Sequence, residues 1–226
     1  MKKYKKKFDV FKVIVDKDDP VIVEVGAHFG EDSLRLAETF ANSSIYCFEP
    51  DPRCIELFKK HVTNDNIKLY EIALSNVEGE LEFYQSFEEY DEDTPEKYDW
   101  ISNEDYVNKK LNGSGASSLK KGYPHASLEP IKVKSLRFDT WCTDKDIKHV
   151  DLAWIDTQGA EKEVLDGMGA SISLIKFIWI EYGEIQYEGA MSREQTIDHL
   201  RGRGFKEINM LSGAGPTGDL LFQRAE

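Results

Sequence analysis

The sequence predicts an α/β fold: a mostly parallel twisted sheet with helices on both faces and an antiparallel strand pair at the C-terminal end. Three observations carry this expectation. Short β-branched or aromatic runs alternate with stretches of helical periodicity. Glycine or proline closes the early strand runs, with Gly26 after Val25 and Pro50 after Glu49. The last two strand-like runs, 205–211 and 219–223, are joined by a loop and carry no helix between them.

Taken in order, Val21-Ile22-Val23-Glu24-Val25 reads as a buried first strand, and a helix from about Gly30 places Leu34, Leu36, Ala37 and Phe40 on its apolar side. Ile45-Tyr46-Cys47-Phe48-Glu49 is a second strand. Pro52 suits the first turn of the next helix, where Ile55, Leu57, Phe58 and Val62 face the core. Residues 67–73 read as a third strand and 80–84 as a short added one. The stretch 87–130 breaks the pattern: its first half is crowded with Asp and Glu, and Asn112-Gly113-Ser114-Gly115-Ala116-Ser117-Ser118 is rich in loop formers. It is expected to be a loop-rich insertion, acting as a mobile cover over one end of the sheet. Strand patterning resumes at 131–136, 150–155 and 175–182, with helices at 160–169 and 192–203.

A length of 226 residues suits a single α/β domain, 1–226. Asp and Glu number 42 against 29 Lys and Arg, a formal charge of −13, and such a surface repels phosphate backbones. Nucleic acid is therefore not the expected partner. The basic run Lys2, Lys3, Lys5, Lys6, Lys7 reads as a solvated, partly frayed terminus, with an anionic membrane or partner as the alternative. Cys47, Cys54 and Cys142 have neither metal-finger nor redox spacing, and Cys47 lies in an apolar run. Reduced thiols, the lack of a transmembrane-length apolar segment and an N-terminus interrupted by Asp9, Lys12 and Asp16 predict a cytoplasmic protein without a signal peptide.

In open parallel sheets ligands sit beyond the carboxyl ends of the strands. Glu24-Val25-Gly26-Ala27-His28-Phe29-Gly30 occupies that position after the first strand, where glycines serve a tight turn or a close approach of backbone to ligand. Glu49 ends the second strand, where a carboxylate can accept both hydroxyls of an adenosine ribose. A dinucleotide turn needs further glycines where His28 and Glu31 stand, which opposes a pyrophosphate and hence a nicotinamide-dependent oxidoreductase. S-adenosylmethionine carries no phosphate, and its positive groups suit an acidic pocket. Asp156-Thr157-Gln158-Gly159-Ala160-Glu161 ends the fourth principal strand. Its carboxylates could hold an amine, bind a hard cation or accept a proton; equally, Asp156 could cap the following helix and Glu161 sit in its first turn.

The sequence resembles the FkbM-type methyltransferase family. The resemblance lies in Val23–Gly30, Phe48-Glu49-Pro50, Ala73-Leu74-Ser75 with Gly79, Ser117-Ser118-Leu119 and Leu136-Arg137-Phe138-Asp139-Thr140-Trp141-Cys142. It is densest in Asp151-Leu152-Ala153-Trp154-Ile155-Asp156-Thr157-Gln158-Gly159-Ala160-Glu161, followed by Val164-Leu165-Asp166-Gly167, Ile180-Glu181 and Gly204-Phe205. Glu24 stands where the family usually has aspartate, His28 where asparagine is usual, and Gln158 where glutamate is commoner.

The resemblance implies a Rossmann-like class I methyltransferase fold and methyl transfer from S-adenosylmethionine to a hydroxyl of a sugar, glycolipid or secondary metabolite. It implies cofactor contacts from Glu24, Gly26, Ala27, His28 and Gly30, from Glu49 and Pro50, and from Ala73, Ser118, Asp156 and Gln158. Asp156 is the favoured base or metal ligand, and His28 the competing base, because an imidazole suits proton removal near neutral pH. Magnesium is an option that scattered carboxylates do not establish, so no metal ligands are assigned. A non-catalytic adenosine-binding protein is the remaining alternative. His125, Trp100, Tyr106 and Tyr123 in the insertion either approach an acceptor or anchor the loop.

Overall fold

In the computed structural model seven strands form one sheet in the order β3-β2-β1-β7-β8-β10-β9. The structure describes residues 2–88, 101–122, 129–183, 186–208 and 215–225, the side chains of 2–6, 103 and 106 excepted. The central strands are β1 (Val21–Val25), β2 (Ser44–Phe48), β3 (Ile67–Tyr70), β7 (Val150–Ile155) and β8 (Ile175–Gly183), all parallel. Strand β10 (Thr217–Arg224) runs antiparallel between β8 and β9 (Phe205–Glu207).

Alternation along the strands builds two apolar layers. Leu152 and Trp154 of β7 join Phe177 and Trp179 of β8 on one face; Ala153 and Ile155 join Ile178 and Ile180 on the other. Helices α1 (Lys2–Val15), α2 (Glu31–Thr39) and α3 (Pro52–His61) cover the first face through Phe11, Leu36 and Phe58. Helices α5 (Phe138–Asp144), α6 (Glu161–Gly167) and α7 (Arg193–Arg201) cover the second through Trp141, Leu165 and Leu200. The chain leaves β1 toward β2 on one side and β7 toward β8 on the other, so the β1–β7 pair is the topological switch point. There Gly26 has φ 88°, and a Cβ on it would lie 1.8 Å from the Asp156 carbonyl oxygen. The glycine lets the ends of β1 and β7 meet.

Four details go beyond the pattern read from the sequence. The stretch 67–73 is not one strand: β3 stops at Tyr70, and β4 (Ala73–Leu74) pairs with β6 (Ile131–Leu136) in a separate sheet of order β4-β6-β5. Strand β5 (Gly79–Phe83) supplies its antiparallel edge. Second, 138–144 is a helix whose buried Phe138, Trp141 and Cys142 hold it to the sheet. Third, residues 2–15 form a helix that places Phe8, Phe11 and Val15 in the core; Lys7 is folded against Trp154 rather than frayed into solvent. Fourth, the described part of the insertion includes a helix and a bridge: α4 (Asn103–Asn108) is capped by the Ser102 side chain, and Ser118 bridges to Tyr84. Trp100, Tyr123, His125 and the side chain of Tyr106 lie outside the described residues. No described helix is long and apolar enough to cross a membrane.

Candidate active site

A cavity of about 480 Å³ opens at the carboxyl ends of β1 and β7, a size that suits a cofactor. The end of β1 and the turn after it reach the cavity with Glu24, Gly26, Ala27 and His28. The end of β2 contributes Glu49 and Pro50, the start of β4 contributes Ala73, and the loop after β7 contributes Asp156 and Gln158.

Glu49 is 5% exposed. One carboxylate oxygen accepts the His28 backbone N–H at 2.8 Å, and the other accepts the Asp51 N–H at 2.8 Å. Two fixed donors hold the carboxylate in one plane, and each oxygen keeps a second lone pair for a ligand. Burial pushes its pKa up to about 7, against the lowering by those two N–H groups. His28 reaches Glu49 because its backbone is left-handed, φ 51°. Its ring is held at both ends: Nδ1 is 3.0 Å from Glu31 Oε1, and Nε2 is 2.9 Å from Ser114 Oγ. That leaves neither ring nitrogen facing an acceptor unengaged, which weighs against His28 as the base.

Around Asp156 the polar groups are organised by one amide. The Gln158 side-chain nitrogen donates to Asp156 Oδ1 at 2.7 Å and to Glu181 Oε2 at 2.8 Å. The Tyr187 hydroxyl lies 3.1 Å from Gln158 Oε1, which sets the amide's orientation. Glu181 and Asp219 line the same end of the cavity, brought together by the antiparallel register of β8 and β10. Burial first, and then the neighbouring Asp156 and Glu161 charges, push Glu181 far above the carboxylate range. Asp156 does not cap α6; that position belongs to Ala160. Glu161 faces inward, and its Oε1 accepts the backbone N–H of Thr157 and Gly159 at 2.9 and 3.1 Å. It shapes the turn from behind.

Glu24 is buried, accepts a hydrogen bond from Ser33 and is raised by burial to about 8. Gly30 and Ser118 stand beside the cavity rather than in its wall. A Cβ on Gly30 would strike Val62 and Phe58 at 2.5 and 2.8 Å, so that glycine serves the packing of α2 on α3. The Ser118 hydroxyl donates to the Gln158 carbonyl at 2.6 Å and holds the loop that presents Asp156.

Several participants have no strong sequence signal. Arg53 pairs with Asp51 at 2.6 Å and donates to the Lys110 carbonyl at 2.7 Å and to Ser117 Oγ at 3.1 Å, tying the insertion to the β2 end. Ser114 reaches His28 from the same segment. Pro52 marks the start of α3 in the sequence, but the Asp51 cap and the partners of Arg53, which lie far along the chain, come from the structure. Lys7, Asp219 and Tyr187 come from elements whose position only the sheet order reveals.

Among the described residues no three His, Cys, Asp or Glu side chains converge on a point that could hold a metal ion. Asp156 and Glu181 approach one another, but both give an oxygen to the Gln158 amide, a donor where a cation would need acceptors.

The profile of the family described as the methyltransferase FkbM domain matches residues 24–207, from the acid of β1 to the end of β9. The 2-O-methyltransferase NoeI of Sinorhizobium fredii (strain NBRC 101917 / NGR234) is 29% identical over 194 residues, covering 83% of this chain and 73% of its own. The methyltransferase sdnD of Sordaria araneosa is 25% identical over 162 residues, 66% of this chain and 61% of its own. Among solved structures, the N-terminal domain of EvdMO1, determined in the presence of SAH and D-fucose, has a TM-score of 0.52 at 11% identity. The match covers 98% of this chain and 82% of that one, a likeness of fold. A Rossmann-like sheet with its site at the switch point and a profile match across most of the sequence agree: the chain belongs to the FkbM methyltransferase family.

Proposed function

We propose that the protein transfers the methyl group of S-adenosylmethionine to a hydroxyl oxygen of a small-molecule or glycan acceptor. The observation that carries this is the pairing, in one cavity, of the doubly held Glu49 carboxylate with the Asp156–Gln158–Glu181 cluster. Glu49 presents lone pairs suited to the two ribose hydroxyls, and the acidic cluster suits the positive amine and sulfonium. A 2-O-methyltransferase among the relatives supports oxygen as the receiving atom.

The cofactor supplies an activated methyl, so the chain's tasks are alignment and removal of one proton. Gln158 fixes Asp156 against Glu181. Glu181, pushed up by burial and by Asp156, takes the protonated role and leaves Asp156 as the carboxylate that receives the hydroxyl proton. The oxygen–methyl bond forms as the methyl–sulfur bond breaks, and the proton passes to Asp156. The test is release of S-adenosylhomocysteine across sugars, glycolipids and hydroxylated metabolites. Turnover with an acceptor is expected; cofactor binding without turnover on any of them returns the protein to the adenosine-binding class.

A further inference from the structure

We propose that Lys7, delivered by the N-terminal helix, is the residue that binds the α-carboxylate at the amino-acid end of the cofactor. This rests on the S-adenosylmethionine reading above. A ligand whose ribose is held at Glu49 must direct its amino-acid end along the β1–β7 ends, toward Asp156. Leu74 and Phe83 give the cavity an apolar stretch of wall that suits the adenine ring. The amino-acid end carries a carboxylate as well as an amine, and a carboxylate entering an acidic cavity needs a cation.

Among the described residues the cavity's basic side chains are Lys7, Arg35 and His28, and the His28 ring is engaged by Glu31 and Ser114. Arg35 is 42% exposed and Lys7 11%. The Lys7 ammonium lies 3.6 Å above the Trp154 ring and 3.5 Å from Asp32. Trp154 stands two residues before Asp156 on β7, and Asp32 feels both the Lys7 and the Asp156 charges. Lys7 is therefore at the Asp156 end of the cavity, the end the amino-acid portion must reach. Its place is fixed from behind by Phe8 and Phe11, which pack on Trp154 at ring distances of 5.9 and 5.7 Å. The face of Trp154 orients the ammonium and Asp32 lies beside it, which sets a positive charge in the cavity wall where a ligand carboxylate can meet it. The inference makes α1 part of the binding site as well as a cover for the sheet.

The experiment compares two ligands by calorimetry on the full chain: S-adenosylhomocysteine, and 5′-methylthioadenosine, which lacks the amino acid. Lys7→Met keeps the apolar stem on Trp154 and removes the charge; Lys7→Arg keeps the charge. Lys7→Met is expected to weaken S-adenosylhomocysteine about tenfold or more and to leave 5′-methylthioadenosine unchanged, because only the first presents a carboxylate. Lys7→Arg is expected to restore most of that affinity. Equal losses for both ligands, or no loss for either, overturn the assignment while the cofactor reading stands. A wild-type chain that binds neither ligand overturns both.

Discussion

At the scale of single residues, the site separates groups that face the ligand from groups that hold those groups. Glu49 lines the cavity, and on the proposed reading removing its carboxylate should cost ligand hydrogen bonds to a charged acceptor, about 1.5–3 kcal/mol. Calorimetry on Glu49→Ala should thus show S-adenosylhomocysteine weakened about tenfold or more; unchanged affinity removes Glu49 from the site. The pKa of about 7 adds a sign. Hydroxyl donors favour the ionised carboxylate, so binding should tighten as pH rises from 6 to 8 and release a proton, visible as a buffer-dependent heat. For turnover, Asp156→Asn with saturating cofactor should lose most activity, on the order of 10²-fold or more, because a base is removed. His28→Asn should keep substantial turnover, since both ring nitrogens already bind protein. The reverse result moves the base to His28.

At the scale of elements, α1 and the segment 111–118 are the pieces the sequence leaves least legible. Phe8, Phe11 and Val15 fall at i, i+3 and i+7, a helical stripe, but they sit beside a lysine run that composition assigns to solvent. What decides the matter is Trp154 and Trp179, more than a hundred residues away, which offer Phe11 edge-to-face partners at 5.7 and 5.3 Å. Phe11→Ala should lower unfolding free energy by about 3–5 kcal/mol in a denaturation curve. A change under 1 kcal/mol would mean that α1 is not docked. The loop chemistry of 111–118 was readable, whereas its anchors were not: Ser114 to His28, Ser117 to Arg53, and Ser118 to the Gln158 carbonyl join it to three separate strand ends. Hydrogen exchange in 111–118 is expected to slow when S-adenosylhomocysteine binds, because His28 and Gln158 line the cavity; no slowing would make the segment a passive brace. The strand ends themselves, Gly26, Glu49 and Asp156, were legible because a parallel sheet must place its ligand there. The split of 67–73 was not, since nothing in Ala73-Leu74 announces that its partner is Ser135-Leu136 of another sheet.

At the scale of the whole molecule, a chain of formal charge −13 gathers buried carboxylates at one end of its sheet, and that arrangement makes stability depend on pH. Burial raises Glu24 to about 8, and Glu49 and Glu161 to about 7, from an ordinary value of 4.5. An acid raised on folding favours the protonated fold: its contribution is complete below pH 4.5 and is lost as pH rises through 7 to 8. His199 is lowered, first by burial, and works in the opposite sense, its contribution lost as pH falls below 6.5. Above pH 6.5 the carboxylates act alone among these groups, so the ligand-free protein should melt at progressively lower temperature between pH 6.5 and 8.5. Among Glu24, Glu49 and Glu161, Glu24 is raised most: Asp32 and Glu31 add to its burial, while Ser33 and Cys47 only partly offset it. Glu24→Gln keeps an acceptor for the Ser33 hydroxyl and removes the charge. Its melting temperature should exceed the wild type's at pH 8, and its fall between pH 6.5 and 8.5 should be shallower. Parallel wild-type and Glu24→Gln curves would show that Glu24 takes up no proton on folding, and the pH dependence would then belong to Glu49, Glu161 and Glu181.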